Sequence, residues 1–408
     1  MRRGICEFES GITVLVTYSL YIHVPFCKHR CYYCDFITFS GKESVIPAYV
    51  DALIREFRVV TNNSRSITVH SIYFGGGTPS LISALLFEKI LDAISDLFDL
   101  CENCEITIEA NPGSLTHNYL KELVQLGVNR LSLGVQSTDP IELRKLDRVH
   151  DVSDTLKAVG LAREAGIKNL SFDMIFGLPG QRNDGWINSL KRAISLKPEH
   201  LSLYSLIIEP ATPLGQWYRK GMIEVKNEDR EADMYENAMR LLAESGYQHY
   251  EISNWAACES SKDFQCRHNL QYWHNQPYLG FGVGAHGYAD GTRTENTTSI
   301  HDYIKRLSRT NSLKLLFPNS PANISSEAVD HQTQMNDFMM LGLRLVEEGV
   351  SADRFEQLFN QSMTAVFKDE ITNLLKLGLI EWGDMAEKKL RLTKYGVMVA
   401  NHVFMAFI

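Results

Sequence analysis

The stretch Cys27-Lys28-His29-Arg30-Cys31-Tyr32-Tyr33-Cys34 carries three cysteines in the spacing C-x-x-x-C-x-x-C, directly behind the apolar run of residues 20–26. Three thiolates this close together suit a soft, positively charged guest such as the iron of an iron–sulfur cluster. A 4Fe-4S cluster has four irons, so three cysteines leave one iron open to a small molecule. The spacing therefore predicts a cluster with an open coordination site.

Two other interpretations of this motif stay open on the residues alone. Zinc normally takes four ligands, and His23, His29 or a distant residue would have to complete a zinc site. The three thiols can also be incidental. Neither alternative involves an iron with an open coordination site.

Composition and charge narrow the class of protein. The chain has 408 residues, of which 44% are apolar and 22% charged, which is enough for a large core and more than one domain. A net charge of −8 argues against nucleic acid as a partner. The eight cysteines are too few and too clustered for a disulfide scaffold, and a cluster needs reduced thiols, so we expect a cytoplasmic protein. The apolar stretch of residues 11–24 is too short and too interrupted to span a bilayer.

Strand and helix patterns alternate along the first half of the chain. The patterns predict strands over 14–24, 71–74, 105–109, 130–135, 169–175 and 200–207, and helices over 43–60, 81–97, 115–126, 153–165 and 184–195. Six strands separated by helices indicate a parallel sheet, and their regularity favours an α/β fold built on a partial, open (β/α)6 barrel. In such barrels the loops after the strands form the active face, and the cysteine motif lies in one of them.

The pattern changes beyond about residue 210. A charged helix is predicted over 227–245, and an aromatic, strand-like stretch follows over 247–255. Helices over 334–346, 352–359 and 363–377 then precede a small hairpin, as in winged-helix-like modules. We predict an N-terminal tail (1–14), the barrel (15–225), a connecting region (226–300) and a C-terminal helical, winged-helix-like domain (301–408). The acidic charge favours domain packing over DNA binding for the last part.

Polar groups follow several of the predicted strands. Gly75-Gly76-Gly77-Thr78-Pro79 permits close approach of its backbone to a ligand. Glu109 lies at the end of the third predicted strand, Gln136 and Arg148 lie beyond the fourth, and Asp173 lies inside the fifth. Each is more often a structural hydrogen-bonder than a ligand, but convergence of all of them on one barrel face is what a ligand site requires.

The cysteine spacing is the signature of radical S-adenosylmethionine (SAM) proteins, and residues 21–27 with residues 75–79 resemble the oxygen-independent coproporphyrinogen oxidase family. The resemblance implies that Cys27, Cys31 and Cys34 hold a 4Fe-4S cluster whose fourth iron is chelated by SAM, and that reduction cleaves SAM to a 5′-deoxyadenosyl radical. It also implies a SAM site lined by Tyr21, Gly76, Gly77, Thr78, Glu109, Gln136, Arg148 and Asp173.

Two departures indicate a branch of that family. Phe36 stands where the oxidases carry a fourth cysteine, and the chain reaches its first predicted strand within about fifteen residues, without their longer leading segment. With the H-N-x-x-Y-W motif of residues 268–273, the chain is similar to the haem-chaperone branch. That similarity implies haem binding and haem transfer to acceptor proteins, without coproporphyrinogen oxidase activity.

The haem ligand is the least determined part of the site. His268 suits an axial ligand because neutral imidazole binds haem iron, although a histidine capping a turn among packed aromatic residues gives the same pattern. Cys266, His249 and His286 are weaker candidates. The pair Cys101/Cys104 is predicted just before the third strand, away from the loop face, as incidental or redox-sensitive thiols.

The expected partners follow from this interpretation. They are haem, an unidentified haem-acceptor protein and a reductant for the cluster, with no nucleic acid. A homodimer and a membrane-associated acceptor are both compatible with the sequence. The alternative function is a radical SAM enzyme acting on a tetrapyrrole, either as a coproporphyrinogen III dehydrogenase or in anaerobic haem degradation.

Overall fold

The computed structural model describes residues 16–62, 66–224, 227–259, 262–308, 315–383 and 388–408. The predicted tail of residues 1–14 lies outside the described residues. In the first half the strands are β1 (Thr17–Val24), β2 (Phe26–Cys27), β3 (Phe39–Ser40), β4 (Thr68–Gly76), β5 (Asp99–Ala110), β6 (Arg130–Gln136), β7 (Asn169–Phe176) and β8 (His200–Ser205). The helices are α1 (Ile46–Thr61), α2 (Ala84–Leu97), α3 (His117–Gln125), α4 (Pro140–Lys145), α5 (Val152–Ala165), α6 (Asn183–Ser195) and α7 (Pro213–Arg219), with 3-10 turns at Glu43–Val45, Pro79–Leu81 and Pro112–Ser114.

The alternation of residues along β1 explains how the sheet is layered. Leu20, Ile22 and Val24 are fully buried in the hydrophobic core, on the face that the helices cover. Tyr21 and His23 point to the opposite face, because successive side chains of a strand alternate. The concave interior of the sheet therefore receives the polar and aromatic side chains that the site needs.

The strands β1, β4, β5, β6, β7 and β8 pair in parallel in that order, which confirms the predicted six-stranded parallel arrangement. The sheet is larger than predicted. After α7, the chain forms α8 (Glu228–Glu244), β9 (Tyr247–Glu251), β10 (Asn254–Ala257), α9 (Arg267–Trp273), β11 (Tyr278–Phe281), β12 (His286–Ala289), β13 (Thr292–Asn296), α10 (Ile300–Leu307) and β14 (Asn323–Ala328), and these six strands join the same sheet. The resulting sheet has twelve strands in the order β14-β13-β12-β11-β1-β4-β5-β6-β7-β8-β10-β9.

These added strands have four to six residues each, and most contain glycine or charged side chains, so their periodicity is weak. The aromatic stretch predicted as one strand over 247–255 is a hairpin, in which β9 pairs with β10 and β10 pairs antiparallel with β8. The strand β11 pairs in parallel with β1 on the other side of the barrel.

The third strand of the barrel starts earlier than predicted. The strand β5 begins at Asp99, so Cys101 and Cys104 lie inside it and not before it. In the pairing with β4, Leu100 lies opposite Val69 and Glu105 lies opposite Ser71. A step of five residues along β5 therefore matches a step of two along β4, so the cysteine pair lies in a bulge. The pair lies toward the amino end of the strand, away from the loop that carries the cluster motif.

The C-terminal part has its own hydrophobic core, which includes Met335 and Phe407. It contains α11 (His331–Gly342), β15 (Val350–Ser351), α12 (Ala352–Phe359), α13 (Met363–Val366), α14 (Lys368–Lys376), β16 (Ile380–Trp382), β17 (Lys389–Leu392), α15 (Lys394–Met398) and α16 (Ala400–Met405). The predicted hairpin is present as β16 and β17, and β15, which was not predicted, pairs with β17 to complete a three-stranded antiparallel sheet beside the helices. The helix predicted over 363–377 is divided at Phe367 into α13 and α14.

The predicted domain limits at residues 225 and 300 stay predictions. The hydroxyl of Tyr303 on α10 donates to the carboxylate of Glu56 on α1 at 2.6 Å, so α10 packs against the barrel. Across the described ranges, none of the helices is both long enough and apolar enough to cross a membrane.

Candidate cofactor-binding site

The glycine-rich loop after β4 is bonded to the chain just ahead of the first cysteine. The backbone N–H of Gly77 donates to the carbonyl of Val24, and that of Thr78 donates to the carbonyl of Phe26, each at 2.8 Å. A Cβ atom at Gly77 would lie 2.6 Å from the Phe26 oxygen, so only glycine permits this approach. The two loops predicted to meet at the carboxyl ends of the strands are therefore in direct contact. We refer to this end of the barrel as the mouth.

The three cysteines of the motif differ in exposure, since Cys27 is buried whereas Cys31 and Cys34 are half-buried. The hydroxyl of Thr78 donates to the Cys27 Sγ at 3.6 Å, and the Arg148 Nη1 donates to the Cys31 Sγ at 3.5 Å. Burial raises the pKa of both thiols, and the Arg148 guanidinium opposes that rise at Cys31. The two contacts supply hydrogen bonds that stabilise thiolate sulfur.

The donor set suits a cluster better than a single zinc ion. The two ring nitrogens of His23 are hydrogen-bonded, to the Tyr21 hydroxyl (3.0 Å) and the Ile37 carbonyl (2.8 Å). The ring of His29 pairs with Asp147 on the surface of the loop. With both histidines engaged elsewhere, the three thiols of the motif fit a 4Fe-4S cluster that keeps one open iron.

Glu109, at the end of β5, faces the glycine-rich loop. Its carboxylate accepts hydrogen bonds from the Tyr73 hydroxyl at 2.8 Å and from the Gly76 backbone N–H at 3.1 Å. Burial raises the pKa of Glu109 to about 7, with a further contribution from the nearby carboxylate of Asp173. The group can therefore be neutral or ionised near neutral pH, depending on what binds beside it.

The next two strands bring further polar groups to the same level. The Ser132 hydroxyl lies between the two carboxylate oxygens of Asp173, at 3.1 and 3.2 Å, and burial raises the pKa of Asp173. Gln136 has a φ of 64°, a left-handed conformation that is uncommon for a residue other than glycine, at an irregularity in the pairing of β6 with β7. Strained residues of this kind cluster at ligand sites.

Asn111 was missed by the sequence analysis, although it lies two residues beyond Glu109. Its side-chain amide donates to the Thr78 hydroxyl at 2.9 Å, and its carbonyl accepts from Arg148. Arg148 also donates to the Gly134 carbonyl at 2.8 Å. The period of two along a strand places residue 111 on the same face as residue 109, and that was the available signal.

His268 lies at the other end of the barrel. Its backbone N–H donates to Glu105 at 3.2 Å, and Glu105 precedes Glu109 by four strand residues, which is about 13 Å. The imidazole contacts the Ser71 hydroxyl at 3.1 Å and the Tyr272 hydroxyl at 2.8 Å, and it is 1% exposed. Helix α9 thus closes the amino end of the barrel, which we refer to as the floor.

On the floor, the His268 ring is neutral and fully hydrogen-bonded. Burial lowers the pKa of His268 to about 3, so the ring is neutral, and both of its nitrogens are hydrogen-bonded. The ring stacks on Tyr73, with 5.0 Å between centroids. At the end of the motif, the guanidinium of Arg344 lies 4.3 Å from the centroid of the Trp273 ring. The H-N-x-x-Y-W motif therefore connects the barrel interior to the C-terminal part.

At the mouth, hydrogen bonds connect Gly76 to Glu109, and connect Thr78 to Arg148 through Asn111. Tyr21 lies between this group and the floor, with its ring centroid 6.3 Å from that of His268. Cys266 is buried on the floor, where its thiol donates to Glu105 at 3.7 Å. His249 stacks on Trp255 at 4.2 Å between centroids, outside this group. His286 is exposed on β12.

Comparison with known proteins identifies relatives over nearly the whole chain. Residues 21–193 match the Radical SAM superfamily, and residues 329–399 match the HemN C-terminal domain. The protein named Heme chaperone HemW from Bacillus subtilis (strain 168) is 37% identical over 96% of this chain and 99% of its own length. Heme chaperone HemW from Lactococcus lactis subsp. lactis (strain IL1403) is 36% identical over 96% of this chain and 97% of its own length.

A solved structure with the same fold is coproporphyrinogen III oxidase (HemN) from Escherichia coli, a radical SAM enzyme. The two chains superimpose with a TM-score of 0.82 at 22% identity, covering 96% of this chain and 90% of that one. At this identity the likeness establishes the fold only.

Proposed function

The chain belongs to the HemW family of radical SAM proteins, and we therefore propose that it is a haem chaperone that binds haem and transfers it to acceptor proteins. The observation that carries the proposal is the identity of 36–37% to proteins named Heme chaperone HemW over 96% of the chain. Phe36 supports the proposal, because it stands where the family resemblance places a fourth cysteine in the oxidases. Its side chain is 67% exposed.

We propose that Cys27, Cys31 and Cys34 hold a 4Fe-4S cluster at the mouth. When bound, the cluster would supply an open iron for the amino and carboxylate groups of SAM to chelate, and an electron for SAM cleavage. The chain itself orients the thiols, since Thr78 and Arg148 donate to two of them.

We propose that SAM binds between the cysteine loop and the carboxyl ends of the strands. The glycine-rich loop leaves space for the ligand, and the carboxylates of Glu109 and Asp173 are placed to accept hydrogen bonds from an amine or from ribose hydroxyls. The proposed SAM-binding residues are Tyr21, Gly76, Gly77, Thr78, Glu109, Gln136, Arg148 and Asp173.

The proposal that His268 contacts haem has a structural requirement. Its neutral imidazole is the form that binds haem iron, but Nε2 is bonded to the Tyr272 hydroxyl at 2.8 Å and the ring is buried. Ligation by His268 therefore requires that the Tyr272 contact breaks and that α9 moves away from the barrel. Haem titration of variants at this residue tests the requirement directly.

The proposed partners are haem, a haem-acceptor protein and a reductant for the cluster, in the cytoplasm. A reducing compartment keeps the cysteine ligands as thiols, and the net charge of −8 disfavours nucleic acid as a partner. The acceptor can be soluble or membrane-associated, and the chaperone can act as a homodimer.

A second candidate function is radical chemistry on a tetrapyrrole, because the chain carries all eight residues of the proposed SAM site. It would be oxidation of coproporphyrinogen III or anaerobic haem degradation. Phe36 and the family membership favour the chaperone over this candidate.

One experiment separates the two functions. Protein reconstituted anaerobically with iron and sulfide is analysed for iron and haem content, reduced, and incubated with SAM and haem. A chaperone leaves the haem chemically unchanged and passes it to an added apo-acceptor. Stoichiometric 5′-deoxyadenosine with an altered porphyrin, or conversion of coproporphyrinogen III to protoporphyrinogen IX, would instead establish the enzyme.

A further inference from the structure

A continuous chain of hydrogen bonds joins two of the three motif cysteines through the mouth. Thr78 donates to the Cys27 Sγ at 3.6 Å and accepts from the Asn111 side-chain amide at 2.9 Å. The Asn111 carbonyl accepts from Arg148 Nη2, and Arg148 Nη1 donates to the Cys31 Sγ at 3.5 Å. Asn111 is the middle member of this chain and belongs to neither the cysteine motif nor the proposed SAM residues.

The donor and acceptor chemistry leaves few alternatives to asparagine at this position. Arg148 can only donate, so its partner must offer an acceptor. Thr78 has one hydroxyl hydrogen, which it gives to Cys27, so its remaining partner must be a donor. An amide side chain combines both functions, and the short side chain of Asn111 spans the gap. The orientation of the amide is thus fixed by its two neighbours.

This row of hydrogen bonds also connects segments from three different parts of the barrel. Thr78 follows β4, Asn111 follows β5 and Arg148 follows α4. A further hydrogen bond of Arg148, to the Gly134 carbonyl at 2.8 Å, anchors it to β6. Displacement of Asn111 would therefore release the side chains that contact both sulfurs.

We propose that Asn111 is a positioning residue that holds the Cys27 and Cys31 sulfurs in place for the cluster through Thr78 and Arg148. The inference rests on the proposed cluster at the three cysteines. Mutation of a side chain that hydrogen-bonds to metal ligands typically lowers metal affinity by about 10- to 100-fold. Hydrogen bonds to the cluster sulfurs also change its reduction potential.

The test compares Asn111→Ala and Asn111→Asp with Asn129→Ala in the full-length protein. Asn129 is the matched control, because its amide also bridges two partners, Ile106 N–H at 2.9 Å and the Cys104 carbonyl at 2.8 Å, but at a distance from the motif. Each variant is reconstituted anaerobically, and cluster loss to a chelator, the reduction potential and the EPR spectrum of the reduced cluster are measured. Circular dichroism verifies that each variant is folded.

We expect Asn111→Ala to lose its cluster about tenfold faster than the wild type and to show a shifted potential, while Asn129→Ala retains both properties. Asn111→Asp keeps an acceptor for Arg148 but cannot donate to Thr78, so it should fall between the two. A wild-type rate and potential in both Asn111 variants would overturn the proposal.

A second readout needs no cluster. In the metal-free protein, alkylation by iodoacetamide followed by mass spectrometry gives the rate at each cysteine separately. We expect Asn111→Ala to change the rates at Cys27 and Cys31 several-fold and to leave those at Cys34 and Cys258 unchanged. Unchanged rates at all four would overturn the proposal. If the wild type takes up no cluster, the proposed cluster function fails, and the alkylation rates still decide the role of Asn111.

Discussion

The mouth and the floor of the barrel are built from the same kinds of side chain, but they differ in the protonation of their titratable groups and in backbone conformation. On the floor, His268 and Gln271 are each 1% exposed and fully engaged with neighbours. At the mouth, Glu109 is half-buried with its pKa raised to about 7, and Gln136 has a left-handed backbone. Hydrogen bonding alone does not distinguish the two ends, because both Glu109 oxygens accept hydrogen bonds while Nε and Nη1 of Arg130, at the amino end of β6, are buried without a partner. The comparison teaches that a carboxyl group with a pKa near neutral pH and a left-handed backbone, rather than residue type, distinguish the ligand site.

Removal of a cluster ligand should give the largest effect at the mouth. Cys31→Ala is expected to abolish the cluster, because each proposed ligand thiol is bound to one iron. The measurement is iron and sulfide content with the EPR spectrum after anaerobic reconstitution. Cys258→Ala, at an exposed cysteine far along the chain, is the control and should retain the cluster. Wild-type iron content in Cys31→Ala would remove Cys31 from the proposed ligand set.

Truncation of the floor histidine tests whether that end is structural, haem-binding or both. His268→Ala removes a buried ring and leaves the Ser71 and Tyr272 hydroxyls without their partner, which should cost about 3 kcal/mol of unfolding free energy. His274→Ala, at a surface contact with Glu348, should cost less than about 1 kcal/mol. Urea unfolding measures both.

The same variant has a separate haem prediction. If α9 moves to expose His268 to haem, His268→Ala should weaken haem binding in a spectroscopic titration and leave the cluster spectrum unchanged. Unaltered haem affinity, together with the loss of stability, would assign the residue to the barrel floor alone.

A glycine substitution probes how tightly the mouth is built. Gly76 has a φ of 110°, and an added Cβ would lie 2.4 Å from the His23 ring. Gly76→Ala should therefore cost about 2 kcal/mol and weaken SAM binding. Gly160 lies in α5 with open space around a Cβ, so Gly160→Ala should stabilise by about 0.5–1 kcal/mol. Thermal unfolding and SAM titration would contradict this contrast if the two variants behaved alike.

The effect spread most gradually over conditions is a pH dependence at Glu109. Its pKa is raised to about 7 from 4.5, so the folded chain keeps a proton that the unfolded chain releases as pH rises through this window. The wild type should lose stability relative to Glu109→Gln between about pH 4.5 and 7, while affinity for a ligand that donates to the carboxylate should rise with pH. Urea midpoints and SAM titrations at several pH values measure both.

The control for this prediction is Glu122→Gln, at an exposed carboxylate on α3. It should follow the wild-type pH profile. If Glu109→Gln also followed that profile, the carboxylate would not be held at a raised pKa.

The local sequence predicted the parallel barrel and the contents of its mouth for a simple reason. Strand alternation, the C-x-x-x-C-x-x-C spacing and the glycines that allow close approach are all encoded within a few consecutive residues. Since parallel strands end at the same edge, side chains at the strand ends had to meet, as Gly76 and Glu109 do. The six longer strands were recognisable because their periodicity extends over enough residues.

The sequence by itself determined that three thiols, a glycine-rich loop and a set of strand-end polar groups share one site. Only the tertiary structure decided that His268 lies on the opposite end of the barrel, bonded to Tyr272, and that Asn111 connects Thr78 to Arg148. The physical reason is that these contacts join residues from separate elements, so the partner of each polar group depends on packing that no local pattern specifies.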